Sequence, residues 1–338
     1  MEIKRFIKKY KKYIVIVLTV VALIVIFIFL LGRKKEPKEV LVPMNKEIVS
    51  PFMEYTGLPS FALPKKKALF TEEVLNVYSI LPYKQSIAEV VYKFDNNARS
   101  RYPSEVMDFW KSSSNSFAYY KNTGILKISS PHGLSVTSLV DSKENIKNFI
   151  STYFGYVDID TDNILVKSNP SGGYTYKGKY LIDGYAFGSI YLESYAYVVQ
   201  TDKDSNINNL SIFLYNRNSP SVYSRYPVLG EPELLLNKRV YIDRLTISEN
   251  YNKLDRYVKG TINLESLNIS EMEKAYIFTD FTEGYIYPMY MFTADARYKD
   301  FNEEGYAGDI LMYIMAIAQK NISPRENIVE FYEIGTEE

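Results

Sequence analysis

Tyrosine recurs at every second position in several stretches of this sequence, and that spacing restricts the fold more than any other feature. In "GYIYPMYMF", Tyr285, Tyr287, Met289 and Met291 share one side of an extended chain. Ile286, Pro288, Tyr290 and Phe292 share the other. In "YTYKGKY", Tyr174, Tyr176, Gly178 and Tyr180 alternate with Thr175, Lys177 and Lys179. Successive side chains of a strand point to opposite faces, so a period of two predicts strands. Tyrosine joins a large apolar body to a polar tip and suits a sheet with one packed and one wet side. With 32 tyrosines and 18 phenylalanines in 338 residues, aromatic strands are a general property of the chain. Pro288 cannot donate to a ladder, which predicts an edge, a strand start or a bulge there.

Helical spacing interrupts the strands twice. Ile87, Val90, Val91 and Phe94 form one apolar face, and Ser86 with Glu89 makes a capping box before it. Ile146, Phe149, Ile150 and Tyr153 form another, with Asp141 and Glu144 as the capping pair and Gly155 as the stop. Short strands precede and follow each helix, among them "EVMDFWK", "NSFAYYK", "GILKISS" and "NNLSIFLYN". Further on, "EPELLLNK" reads as a short helix and "SENYNKLDRYVKG" as a helix or a strand. The segments "EMEKAYIFTD", "GYIYPMYMFTAD" and "GDILMYIMAIAQ" read as a terminal antiparallel meander.

The N-terminus reads differently. From Tyr13 to Leu31 the only polar interior residue is Thr19. An apolar run of about 18 residues spans roughly 27 Å as a helix, close to the hydrocarbon thickness of a bilayer. No small-residue cleavage pattern follows, so the run predicts an uncleaved anchor rather than a signal peptide. Six basic residues precede it and four follow, diluted by Glu36 and Glu39, which predicts a cytoplasmic N-terminus. The predicted organisation is therefore a basic cytoplasmic tail (1–12), a membrane helix (13–32) and a proline-rich stalk (33–68). A first α/β unit (69–135), a second (136–230), a C-terminal one (231–322) and an acidic tail (323–338) complete it. The predicted fold class is α+β, with tandem units that each pack a helix on an antiparallel sheet. The predicted location is a single-pass cell-membrane protein with an extracytoplasmic body.

Composition removes much chemistry. The chain has no cysteine, so it has no disulfide, thiol nucleophile or thiolate metal site. Its one histidine, His132 in "SSPHGLS", reads as a turn residue. No phosphate-cradling glycine loop and no G-x-S-x-G segment is present. Forty basic and 40 acidic residues cancel, which argues against a nucleic-acid partner. Two runs could suit calcium, Asp158, Asp160, Asp162 and Asn163, and Asp202, Asp204, Asn206 and Asn208. Both lack the glycine and glutamate that calcium loops place at the sixth and twelfth positions, and Asp and Asn are ordinary turn formers. No cofactor and no catalytic residue is predicted.

A helix after an acidic or serine cap, a "Y-x-Y-x-G" strand, a long strand, the "TDKDSNINN" turn and a closing strand resemble the PepSY-like repeat. The tail, span, stalk and body together resemble membrane-anchored regulators of the YycH/YycI type. That resemblance implies binding rather than catalysis, with a protein partner in or at the membrane such as a sensor kinase or an envelope protease. Two other functions compete: a scaffold subunit of an envelope, secretion or pilus assembly, and a glycan hydrolase with an unmarked carboxylate pair. Aromatic residues are enriched at interfaces, so Tyr285, Tyr287, Tyr290 and Phe292 are the candidate partner contact if their strand lies at an edge.

Overall fold

A computed structural model describes residues 53–55, 62–101, 103–134, 142–170, 172–231, 234, 240–247, 263–278, 284–299 and 305–317. All lie within the compact unit Val42–Glu338. Among them are seventeen strands and only two α-helices, α1 (Ile87–Phe94) and α2 (Lys143–Phe154). The expected α+β class is thereby corrected: the body is mostly β and built on two large sheets. Neither helix has a sheet to itself. The alternating aromatic pattern extends the strands until they merge into common sheets, and the helices join a common core.

The first sheet has eight strands in the order β3-β4-β5-β6-β12-β11-β8-β7. They are β3 (Arg99–Arg101), β4 (Met107–Lys111), β5 (Ser116–Tyr120), β6 (Ile125–Ser129), β7 (Leu165–Ser168), β8 (Tyr174–Gly178), β11 (Tyr197–Thr201) and β12 (Ile207–Phe213). All neighbours are antiparallel. Each half follows one helix, and the two halves meet through their last strands, β6 and β12. The register aligns Trp110, Phe117, Ile128, Leu210, Val199 and Tyr176 in one buried row across the sheet. That inner face shares its core with Val90, Val91 and Phe94 of α1 and Ile146, Phe149 and Ile150 of α2. The helices touch through aromatic rings, with Phe94 stacked on Tyr153 at 4.7 Å between centroids.

The caps differ in detail from the sequence reading. Ser86 holds the N-cap position of α1 but makes no side-chain cap bond. Ser142, not Asp141, caps α2, its hydroxyl accepting from Asn145 N. Gly155 ends α2 with φ +76, and its carbonyl accepts from Arg217 Nη1. A glycine suits that left-handed position because it has no Cβ to crowd the carbonyl.

The second sheet has nine strands. Its main path runs β1 (Met53–Tyr55), β14 (Val240–Ile247), β17 (Gly305–Met315), β16 (Tyr285–Lys299), β15 (Asn263–Phe278), β10 (Tyr185–Ser189) and β9 (Tyr180–Ile182). β2 (Val74–Ser79) pairs with β16 and with β13 (Ser221–Pro227). The three long C-terminal strands form the predicted meander. The chain changes sheets at Lys179, between β8 and β9. The two sheets share one apolar core, in which Phe213 of β12 stacks on Phe278 of β15 at 4.6 Å.

Pro288 sits in an interior strand, against the sequence reading, and the ladder explains how. Its carbonyl accepts from Ala316 N at 2.9 Å. In a strand the N–H and C=O of one residue face the same neighbour. On that side the ladder to β2 ends at Ile286 and the ladder to β17 begins at Met289. The missing N–H falls in the seam between two partners.

The span expected at 13–32 lies outside the described residues, as do the tail 1–12, residues 323–338 and "SENYNKLDRYVKG". Among the described residues no helix is long and apolar enough to cross a membrane. The expected single-pass placement, with an extracytoplasmic body, therefore finds no support in the structure and is set aside.

Two substitutions test the packing. Phe149 is 2% exposed, and Phe149→Ala should cost about 3–5 kcal/mol in urea unfolding. A Cβ on Gly178 would collide with Tyr197 Oη and Cζ, although no left-handed backbone is involved. Gly178→Ala should therefore destabilise by about 1–3 kcal/mol through overpacking. An unchanged midpoint in either variant would contradict this packing.

Candidate functional site

The predicted contact strand is not at an edge. β16 lies between β15 and β17, and Tyr287, Tyr290 and Phe292 are at most 1% exposed. Tyr285 is half-buried and meets Tyr223 of β13 edge to face at 4.9 Å. The two sides of the strand separate as the alternation predicts. Ile286, Tyr290 and Phe292 enter the large core, while Tyr287, Met289 and Met291 enter a second cluster on the far side. Both sides are buried, so the wet face that the pattern implied is missing, and the condition attached to this contact is not met.

Buried tyrosines are general here. Of the eleven largest fully buried side chains among the described residues, six are tyrosines, which makes the residue core material rather than a stacking platform. Some of the hydroxyls tie the chain together. Tyr156 Oη donates to Tyr215 O at 2.8 Å and accepts from Tyr215 N at 2.7 Å. Tyr180 Oη donates to Phe213 O at 3.0 Å. Burial pushes both phenols well above their usual range. Where β9 and β10 turn at Asp183 and Gly184, Tyr78 Oη donates to Asp183 Oδ2, and Asn76 Nδ2 donates to the same oxygen at 3.2 Å. Burial and that bond push the Tyr78 phenol up to about 12.

The acidic runs serve turns. Asp160 accepts from Asn163 N and from its Nδ2, and Asp202 accepts from Asp204 N, Asn206 N and Asn206 Nδ2. Slight burial works to raise the Asp202 carboxyl, but the Asn206 and Asp204 bonds hold it below the usual carboxylate range. Among the described residues no group of three His, Asp or Glu side chains could hold a metal. His132 is exposed in a turn with Gly133 at φ +84.

The surface with a distinct character is the outer face of the eight-stranded sheet, opposite the helices. One row crosses it as Lys111, Ser116, Ser129, Asn209, Gln200, Thr175 and Lys167. The next carries Phe109, Ala118, Lys127, Ser211, Val198 and Lys177. β3 adds Arg99 opposite Lys111 and Arg101 opposite Phe109. Every residue of these rows is exposed or half-buried. No outer-face position in the eight strands is Asp or Glu. Among the described residues one of these cations has a carboxylate partner: Lys177 meets Glu193 from a loop at 2.7 Å. Lys127 also lies 5.4 Å from the centroid of the Tyr120 ring. The face thus offers cations, hydroxyls and amides to a ligand rich in acceptors. Alternation marks Lys177 as a solvent-side residue, but nothing within a single strand shows that six basic residues come together.

The phenols give a pH test. Burial, then the charge of Asp108, pushes Tyr119 up to about 12, as burial does for Tyr78. A phenol whose pKa rises on folding stabilises the native state fully below its unfolded value of about 10. That stability is lost as pH climbs from about 10 toward 12. Phenolate absorbance should therefore rise in two stages, exposed tyrosines first and buried ones together with loss of the native aromatic circular dichroism. A single stage near the ordinary value with the fold intact would refute the burial pattern.

No family model and no curated protein matches the chain. The resemblance to PepSY-like and YycH/YycI-type proteins thus rests on the sequence alone. A crystal structure from Eubacterium rectale ATCC 33656, described only as that of an uncharacterized protein, is similar at 14% identity and a TM-score of 0.44. The match covers 79% of this chain and 92% of that one, and likeness of that degree carries no argument about function.

Proposed function

We propose that this protein is a non-catalytic binding module that acts by holding a protein partner against the outer face of its eight-stranded sheet. The observation that carries this reading is the face itself. Eight strands are spent on one surface whose inner side is sealed by two helices and whose outer side carries two open, largely polar rows, closing at the Ile125–Phe213 end where both residues are buried. A sheet needs only one packed face for stability, so the second is available for contact. A surface of seven strand spacings extends about 34 Å, enough for a standard protein interface. The scaffold and glycan-hydrolase alternatives have no comparable observation behind them.

A photo-crosslinking side chain tests the reading in the full chain expressed in its own cell. Ser211→p-benzoylphenylalanine, on the outer face, should give a discrete adduct. Glu144→p-benzoylphenylalanine, on the exposed side of α2, should not. Equal labelling from both positions, or none from Ser211, would count against the face. Turnover of a substrate by the purified protein, lost on changing one carboxylate, would remove the non-catalytic reading.

A further inference from the structure

We infer that the partner segment seated on this face is an acidic polypeptide; the inference rests on the binding reading above and names its chemistry. Arg99, Arg101, Lys111, Lys127, Lys167 and Lys177 all project from the outer face, from both ends of the sheet and from its middle. The whole chain has 40 basic and 40 acidic residues, so a face with six of one sign and none of the other in its strands is a segregation of charge. The exposed acids Glu265, Glu271, Glu273 and Asp295 lie instead on β15 and β16 of the other sheet.

A simpler explanation covers part of the pattern. Charged residues on edge strands block pairing with other chains, and β3 and β7 are the two edges of this sheet. That accounts for Arg99, Arg101 and Lys167. It does not account for Lys127, which sits on β6, one of the two middle strands, where no edge exists. Nor does it account for Arg99 directly opposite Lys111, because like charges facing each other across a ladder destabilise it. A glutamate at either position would guard the edge and remove the repulsion. Cations at the middle and both ends, with Ser, Asn, Gln and Thr between them, match carboxylates spaced along an extended partner. Nucleic acid is the poorer match. A duplex carries one charge per about 1.7 Å, far denser than six cations over about 34 Å.

The full chain is titrated by fluorescence anisotropy with a labelled peptide of alternating glutamate and glycine, and separately with oligothymidylate of equal length. The peptide should bind saturably and weaken with salt. Lys127→Glu should weaken it by about tenfold or more through like-charge repulsion. Lys84→Glu, an equal charge change outside the face, should leave it within about twofold. Urea midpoints confirm that the variants remain folded. Equal or tighter oligothymidylate binding through Lys127 would overturn the polypeptide assignment in favour of nucleic acid. A concentration-dependent dimer that Lys127→Glu dissolves would assign the face to a second copy and also overturn it. No peptide binding, or equal loss with Lys84→Glu, would remove the acidic partner. A Ser211 adduct that survives those results would leave the binding module standing without this chemistry.

Discussion

The ladder between β6 and β12 is the joint on which the described body depends. It pairs Ile125 to Ser129 with Asn209 to Phe213 over five antiparallel partners. Without it, each half would be a four-stranded sheet under a single short helix with two open edges. With it, two of those edges vanish and the inner faces become one floor under both helices. The register matters as much as the pairing. It sets Ile128 beside Leu210 on the inner side and Lys127 beside Ser211 on the outer. A one-residue slip would turn every side chain of one half to the wrong face. The buried row from Trp110 to Tyr176 would then break in the middle.

Much of the local structure was legible in the sequence. The two helices and the terminal meander follow from period, and the stop at Gly155 from its glycine. The two-sided partition of β16 follows from alternation alone, yet its exposure did not. Period two says which residues share a face and says nothing about whether that face meets water. β16 has neighbours on both sides and apolar clusters on both faces, a context set by strands more than 150 residues away, such as β2. Pro288 misled for the same reason, since its tolerance depends on a seam between two partners that no local pattern encodes.

The merging of the expected units has a physical cause in the tyrosines. A sheet side lined with phenols is largely apolar, and burying a hydroxyl costs less when it finds a partner. Tyr156 and Tyr180 find theirs on the backbone of Phe213 and Tyr215 at the end of β12. Those bonds hold the loop after α2 and the start of β9 against the first sheet. Phe213 then stacks on Tyr215 and Phe187 meets it edge-on. Separate helix-on-sheet units would expose this cluster. One shared core buries it, and the strands of the second sheet are the cover.

The candidate face was hidden for a different reason. Lys111, Lys127, Lys167 and Lys177 each look like the ordinary solvent-side residue of a half-buried strand, and singly they carry no information. Their meaning comes from adjacency across eight strands, which the β6–β12 joint creates. The same joint makes the inner side so thoroughly apolar that the outer side packs only at its Ile125–Phe213 end. Stability therefore does not dictate which polar residues occupy it. Against a neutral whole chain, a mixture of signs would be the unselected outcome, and opposite charges facing each other would add stability. The strands hold cations alone, one of them facing another at Arg99 and Lys111. That arrangement forgoes cross-strand attraction within the sheet, and Lys177 alone of these cations meets a carboxylate among the described residues, so compensating charge for the others is best sought outside the fold.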